Sequence, residues 1–283
     1  MAAPASLLRR QLPCGESVPA LGQGTWHIGD DPRRRQAEIA AIRRGLDLGL
    51  TLVDTAEMYG DGRSEELVGE AIAGRRDEVF LVSKVYPHNA SRRAMGRACE
   101  ASLRRLRVET IDLYLLHWPG SVPLAETVQA FEALRQAGKI RHWGVSNVDS
   151  DGMQALWRTP GGSAAQTDQV LYHLGERGIE WDLRPWLRER GLPVMAYSPF
   201  NEGRLLRAPA LVAFARRHGR TPAQVALGWL LAQDGVIAIP KTGNAARVEE
   251  NAAALSQPLS AAQLAELDTL FAPPTAASPL VVI

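Results

Sequence analysis

Apolar runs of strand length alternate along this chain with segments whose apolar positions repeat every three to four residues, with little interruption. The runs are Leu21–Thr25, Leu50–Asp54, Val79–Lys84, Asp112–His117, Arg141–Ser146, Ala165–Val170, Pro193–Tyr197 and Val236–Ile239, and they read as eight strands. Helical patterns occupy Arg35–Leu48, Glu65–Ala73, Arg92–Leu106, Leu124–Gln136, Met153–Trp157, Asp182–Arg190 and Pro222–Gln233 between them, and Arg247–Leu255 after the last strand. Gly49, Gly74, Gly138 and Gly191 stand at or just beyond four helix ends, where a left-handed cap is needed. Thr221-Pro222 starts another helix with an N-cap and a proline at the first position. Ahead of all this, Gln11–Ala20 carry a Cys-Gly-Glu-Ser turn between extended pieces, a β-hairpin placed to plug a barrel floor. Eight β/α alternations predict an α/β fold, a closed parallel (β/α)8 TIM barrel forming one domain over residues 1–283, with Pro273–Pro279 as a loose tail. An open dinucleotide-binding sheet is disfavoured, because Gly22-Gln23-Gly24 lacks a third glycine and runs into Thr25-Trp26 instead of a helix.

Composition narrows the class of partner. With 46% hydrophobic residues and a formal net charge of +1, the chain can bury a large core and carries no global field suited to nucleic acid or membrane. Small-molecule partners and a monomer are expected. The first residues, MAAPASLLRRQL, hold no signal-peptide core, and no run approaches the roughly 18 apolar residues of a membrane span, so a cytoplasmic location is expected. Cys14 and Cys99 lack CxxC spacing and read as incidental thiols. The six histidines show no metal-binding spacing and no acid–histidine cluster, so no metal is expected. Only three of the 32 basic residues are lysine: Lys84, Lys139 and Lys241. Lys84 and Lys241 follow strand-like runs, where a compact ammonium serves chemistry better than a guanidinium, whereas Lys139 reads as exposed.

Three strands deliver ionisable side chains at their C-terminal ends, the end of a barrel where chemistry sits: Asp54, Lys84 and His117, with Tyr59 five residues beyond Asp54. A phenol with a pKa of about 10 needs help to act as an acid near neutrality. A lysine beside it favours the phenolate, and a carboxylate keeps that lysine charged and oriented. His117 can hydrogen-bond the phenol or a bound carbonyl oxygen. Together the four make a proton-donating set for carbonyl reduction. A lysine, a tyrosine and an acid at one rim also suit a Schiff-base aldolase, and the fold alone leaves room for a non-catalytic nucleotide-binding protein.

The segments DTAEMYG, FLVSKVYP, LLHWPG, WGVSN, TDQVLYH, MAYSPF and IPKTGNAARVEEN resemble the aldo-keto reductases, in order along nearly the whole chain. The likeness is greatest to bacterial members that reduce methylglyoxal-like aldehydes. It implies NADPH as cofactor, Tyr59 as proton donor, Asp54 and Lys84 tuning it, and His117 orienting the carbonyl. It also implies nicotinamide contacts from Ser146, Asn147, Gln169 and Tyr197, and passage of the pyrophosphate by Ser198 and Pro199. Lys241, Thr242 and Arg247 match the group around the adenosine 2′-phosphate, Glu250 and Asn251 the adenine contacts, and Gly24 and Thr25 the cofactor side of GQGTW. Lys241 and Thr242 also stand just before a helix start, where free N–H groups favour a phosphate. Trp26, Met58, Tyr86, His117 and Trp118 match the substrate pocket. The short WPGSVP connection and the twelve residues after Phe271 predict a shallow mouth suited to small electrophilic carbonyls such as methylglyoxal.

Two positions depart from the family pattern. Thr242 replaces a serine and keeps the hydroxyl. Asp168 replaces an asparagine before Gln169, and reads as a tolerated polar exchange, a charge that weakens cofactor binding, or a partner for a nearby cation.

Overall fold

The computed structural model describes residues 8–283. Residues 1–7, part of the stretch read above for a signal peptide, lie outside them. Strands β1 (Arg9–Gln11) and β2 (Ser17–Pro19) pair antiparallel. Then come β3 (Gln23–Gly24), α1 (Arg35–Asp47), β4 (Leu52–Asp54), α2 (Arg63–Ala71), β5 (Phe80–Val85), α3 (Arg92–Leu106), β6 (Ile111–Leu116) and α4 (Leu124–Gln136). The second half runs β7 (Ile140–Ser146), α5 (Ser150–Arg158), β8 (Asp168–Leu171), α6 (Leu183–Glu189), β9 (Val194–Tyr197), α7 (Pro209–Arg217), α8 (Pro222–Ala232), β10 (Val236–Ile239), α9 (Ala245–Ala253) and α10 (Ala261–Leu270). Among the described residues no helix is long and apolar enough to cross a membrane.

Strands β3 to β10 form one parallel sheet in chain order. Parallel bridges Leu21↔Ala238 and Gly24↔Lys241 join its edges, with the Gly24 amide donating to the Pro240 carbonyl at 2.9 Å. Glycine is needed at position 24, because a Cβ there would lie 2.8 Å from the Ile239 carbonyl oxygen. The seam carries Lys241 next to the strand that leads into Thr25 and Trp26.

Strand parity then decides what faces the lumen. Leu52, Phe80, Val82, Leu113, Leu115, Met195, Ile237 and Ile239 fill it, and Leu12 and Val18 of the hairpin close it from below. Burying two such aliphatic side chains contributes about 1.5–3 kcal/mol each. The hairpin is therefore the plug that the sequence suggests. The opposite parity packs against the helices: Trp143 stacks on Phe131 of α4 with ring centroids 5.1 Å apart. One step beyond the apolar lumen layers, the same parity turns Asp54, Lys84, His117, Ser146, Gln169 and Tyr197 inward at the C-terminal rim.

The capping glycines behave as read, with φ of 83°, 78°, 70° and 67° at Gly49, Gly74, Gly138 and Gly191. Thr221 caps α8 in a reciprocal box with Gln224. Two helices fall outside the sequence reading. Helix α7 buries Leu211, Phe214 and Ala215, an i, i+3, i+4 stripe, and follows an irregular loop in which Ser198, Asn201 and Glu202 all adopt positive φ. Helix α10 starts at a Ser260–Gln263 capping box.

Candidate active site

Asp54 ends β4, Lys84 sits near the end of β5, and both side chains are sealed from solvent. The ammonium spends its three N–H bonds on Asp54 Oδ2 at 2.8 Å, the Thr55 carbonyl at 2.8 Å and the Tyr59 hydroxyl at 3.1 Å. Tyr59 reaches it from a tight turn, where its amide donates to the Ala56 carbonyl at 3.1 Å and Gly60 and Asp61 adopt left-handed conformations. His117, one residue past β6, meets the Tyr59 ring edge-on with centroids 5.8 Å apart. All four residues named from the sequence thus converge at one end of the barrel.

Burial sets the charge states. It pushes the Tyr59 phenol above its usual value and outweighs the opposing pull of Lys84, so the phenol rests protonated. Burial works against the Lys84 ammonium, but Asp54 and Tyr59 together hold its pKa above the ordinary value. Burial, aided by the Lys84 charge, depresses His117 to about 2, and its Nδ1 has no hydrogen-bond partner among the described residues. His117 is therefore neutral at any physiological pH.

The residues expected around a nicotinamide adjoin this set. Gln169 donates to Asp54 Oδ1 at 2.8 Å, and the Ser146 hydroxyl donates to the Gln169 carbonyl at 2.8 Å. Asn147, at φ 58°, donates to the His117 carbonyl at 3.1 Å and accepts from the Tyr197 hydroxyl at 2.9 Å. Thr25 donates its hydroxyl to the Asp54 carbonyl at 2.9 Å. Ser198 takes a φ of 48°, and Pro199 is buried behind it.

Lys241 and Thr242 precede α9, whose N-terminus is capped by Asn244 accepting from the Ala246 and Arg247 amides. Thr242 accepts from the Asn244 amide at 3.2 Å, the task a serine there would also perform. Arg247 is exposed, Glu250 half-buried and Asn251 buried in the same helix. Arg34 was not among the residues named from the sequence. It reaches this corner from the start of α1: a Cβ on Gly243 would lie 3.2 Å from its guanidinium. Burial lowers the Lys241 pKa and the charge of Arg34 adds to it, opposed by Glu38 and Asp30, with Arg247 contributing least. Arg34 also pairs with Glu38 at 3.6 Å, but three cations gathered at a helix N-terminus suit a dianionic phosphate.

Asp168 turns away from the lumen, opposite in parity to Gln169 and in register with Val145. It is fully buried, and neither carboxylate oxygen meets a well-aligned donor among the described residues. Burial raises its pKa well above the usual range, with the Val148 amide opposing and Asp149 adding to the shift. The cation considered as its partner is absent from those surroundings. A neutral carboxyl here has the hydrogen-bonding outline of the asparagine it replaces.

Of the expected pocket residues, Tyr86 and Trp118 join His117 in an aromatic cluster, with centroids 5.7 Å apart between the first two and 4.9 Å from Trp118 to His117. Met58 is exposed beside Tyr59, and the Trp26 ring lies tilted by 34° against His27 with centroids 4.3 Å apart. The loop from His117 to Pro123 is as short as expected. Part of the C-terminal tail is placed against the barrel: Ser278 to Val281 line a cleft with Ser150, Ile179 and Leu183. The reading that the histidines meet no acid also needs correction. His142 lies 2.9 Å from Glu16 and 3.6 Å from Cys14, a contact hidden from the sequence by more than a hundred intervening residues.

Comparison with known proteins agrees with this geometry. The pattern of the Aldo/keto reductase family matches residues 20–272. The chain is 54% identical over 263 residues to methylglyoxal reductase YeaE of Escherichia coli (strain K12), covering 91% of this chain and 93% of that one. It superposes with a TM-score of 0.95 on an aldo/keto reductase from Klebsiella pneumoniae crystallised with NADP and acetate, 51% identical, covering 98% of this chain and all of the other. A second Klebsiella pneumoniae aldo-keto reductase structure, in complex with NADPH, gives the same TM-score at 50% identity, over 99% of this chain and all of that one. With barrel, rim residues and these likenesses in agreement, the chain belongs to the aldo/keto reductase family.

Proposed function

We propose that this enzyme reduces small aldehydes and ketones to alcohols with NADPH, 2-oxoaldehydes such as methylglyoxal foremost, with Tyr59 as the general acid. The observation that carries the reading is the placement of Lys84 Nζ, 2.8 Å from Asp54 and 3.1 Å from the Tyr59 hydroxyl. NADPH supplies the hydride when bound. Lys241, Thr242, Arg247 and Arg34 hold its 2′-phosphate, Glu250 and Asn251 lie beside the adenine, and Ser146, Asn147, Gln169 and Tyr197 hold the nicotinamide end. The gathering of Lys241, Arg34 and Arg247 near the start of α9 supports that fit.

A substrate carbonyl oxygen sits between the Tyr59 hydroxyl and His117. The neutral imidazole donates its one N–H to that oxygen and fixes its direction, without competing as an acid. As negative charge grows on the oxygen, the Tyr59 proton moves to it, and the adjacent Lys84 ammonium stabilises the phenolate left behind. Asp54 keeps Lys84 charged throughout. The Schiff-base alternative finds no support: all three N–H bonds of Lys84 are engaged and its pKa is held high, whereas an imine needs a free amine.

The short loop after His117 and the exposed Met58 support a preference for compact substrates, as does the likeness to a methylglyoxal reductase. Steady-state kcat/KM for methylglyoxal, an aromatic aldehyde, an open-chain sugar and a steroid ketone tests it. Methylglyoxal should rank first; a higher value for the steroid overturns the substrate assignment, and no NADPH oxidation with any of the four overturns the activity.

A further inference from the structure

At the other end of the barrel the hairpin turn brings Cys14 and Glu16 against His142, the third residue of β7. One donor atom from each lies within 4.8 Å of the other two. The sulfur is 3.6 Å from His142 Nε2, and that nitrogen is 2.9 Å from Glu16 Oε2. Ser146 stands four residues further along β7, about 13 Å away at strand spacing, so this cluster is separate from the catalytic rim.

The turn is held in shape before any ligand arrives. Leu12 donates its amide to the Glu16 carbonyl at 2.8 Å, Gly15 donates back to Leu12 at 2.9 Å, and Gly15 takes a φ of 89°. The Cys14 amide donates to Gln166 Oε1 at 2.8 Å, which ties the thiol-bearing residue to the entry of β8. Tetrahedral zinc with ordinary bond lengths places sulfur and nitrogen ligands about 3.5 Å apart and nitrogen and oxygen about 3.4 Å apart. The sulfur–nitrogen spacing already matches. The nitrogen–oxygen pair must open by about half an ångström, which a small rotation of the half-exposed carboxylate provides. Arg141 donates to Glu16 Oε2 at 2.8 Å and to Asp112 Oδ1 at 2.9 Å, so the guanidinium stays anchored on Asp112 when Oε2 turns toward an ion.

We propose that Cys14, Glu16 and His142 bind a divalent cation of the zinc class, clipping the hairpin plug to β7. A thiol, an imidazole and one carboxylate form a mixed donor set that suits a borderline-soft ion better than magnesium or calcium. On binding, the sulfur–metal bond replaces the S–H bond and the proton leaves to solvent; no oxidant or reductant is involved. Cys14 is exposed, so the fourth position belongs to water.

The test uses the full-length protein stripped with EDTA and titrated with Co2+. One equivalent should produce a thiolate-to-cobalt charge-transfer band and the visible bands of a tetrahedral site, both abolished by Zn2+. The thiol responsible is identifiable, because Cys99 is buried and its pKa is pushed up to about 12. Cys14→Ser should lose the charge-transfer band, His142→Ala should weaken Zn2+ binding at least about tenfold, and both should keep wild-type NADPH affinity. Zn2+ should raise the melting temperature of the wild type and leave that of Cys14→Ser unchanged. Absence of the band, or an equal Zn2+ response from wild type and Cys14→Ser, overturns the proposal.

Discussion

Asp54 divides its carboxylate between two neighbours: Oδ2 accepts from Lys84 and Oδ1 from Gln169, each at 2.8 Å. One buried anion thereby joins the proton-donating group to the residues expected around the nicotinamide. Removing either cationic or phenolic partner should have separable effects. Tyr59→Phe deletes only a hydroxyl, so the fold and NADPH affinity should persist while turnover falls about a hundredfold or more. Lys84→Met strands Asp54 in a sealed site and should also destabilise the fold by about 3–5 kcal/mol, read from urea denaturation at neutral pH. Near-wild-type turnover by Tyr59→Phe would assign the proton to another group.

The pH dependence follows from His117. Its pKa in the folded protein is about 2, below the 6.5 of an ordinary histidine, so between those values the unfolded chain binds a proton that the native site refuses. The stability contribution of the neutral ring is complete above about pH 6.5 and is lost as pH falls toward 2. His173, lowered to about 4 by burial, adds to the same loss over a narrower window. Acid-induced unfolding should therefore begin below about pH 6.5 and be milder in His117→Gln, while kcat/KM of the wild type should show no histidine inflection between pH 5 and 8. An inflection in that range that disappears in His117→Gln would count against the neutral ring.

Cofactor preference depends on the cations before and within α9. Arg247→Ala and Arg34→Ala should each cost NADPH about ten- to a hundredfold in affinity, consistent with about 1.5–3 kcal/mol for a charge-assisted contact, and leave NADH nearly unchanged. Fluorescence titration with both nucleotides measures it. Equal losses for the two would place these arginines away from the 2′-phosphate.

Asp168 makes the opposite prediction to His117. Its pKa is raised in the folded state, so as pH climbs above the usual 3.8 the unfolded chain releases a proton that the native carboxyl keeps, and folding becomes less favourable. Asp168→Asn removes that penalty. Its melting temperature should match wild type near pH 4 and exceed it by a growing margin toward neutrality. A constant margin at all pH values would show that titration of Asp168 is irrelevant to it.

The sequence was informative where chemistry coincides with periodicity. Asp54, Lys84 and His117 stand where an alternating strand ends, so their convergence follows from parity and barrel closure alone. Helices α3 and α4 were readable to the residue because strong apolar stripes end at glycine or a left-handed cap. Helix α7 escaped because its stripe is short and follows a loop of positive-φ residues without a regular turn pattern. Arg34 and the Cys14–His142 contact escaped for a different reason. Each depends on a meeting across the seam or the floor, and no local pattern encodes those distances. Asp168 was visible as a departure, but its outward parity and lack of a cation needed the strand register.

The scarcity of lysine has a practical consequence for chemical labelling. Lys84 is shut away with all its protons engaged, and the Lys139 ammonium pairs with Glu100. Lys241 is half-buried, and its pKa is lowered by burial and by neighbouring arginines, which leaves a larger share of it as free amine than an ordinary lysine. An amine-directed reagent at mildly alkaline pH should therefore single out Lys241 among the three lysines, and peptide mapping with and without NADPH would turn that one adduct into a direct footprint of cofactor occupancy.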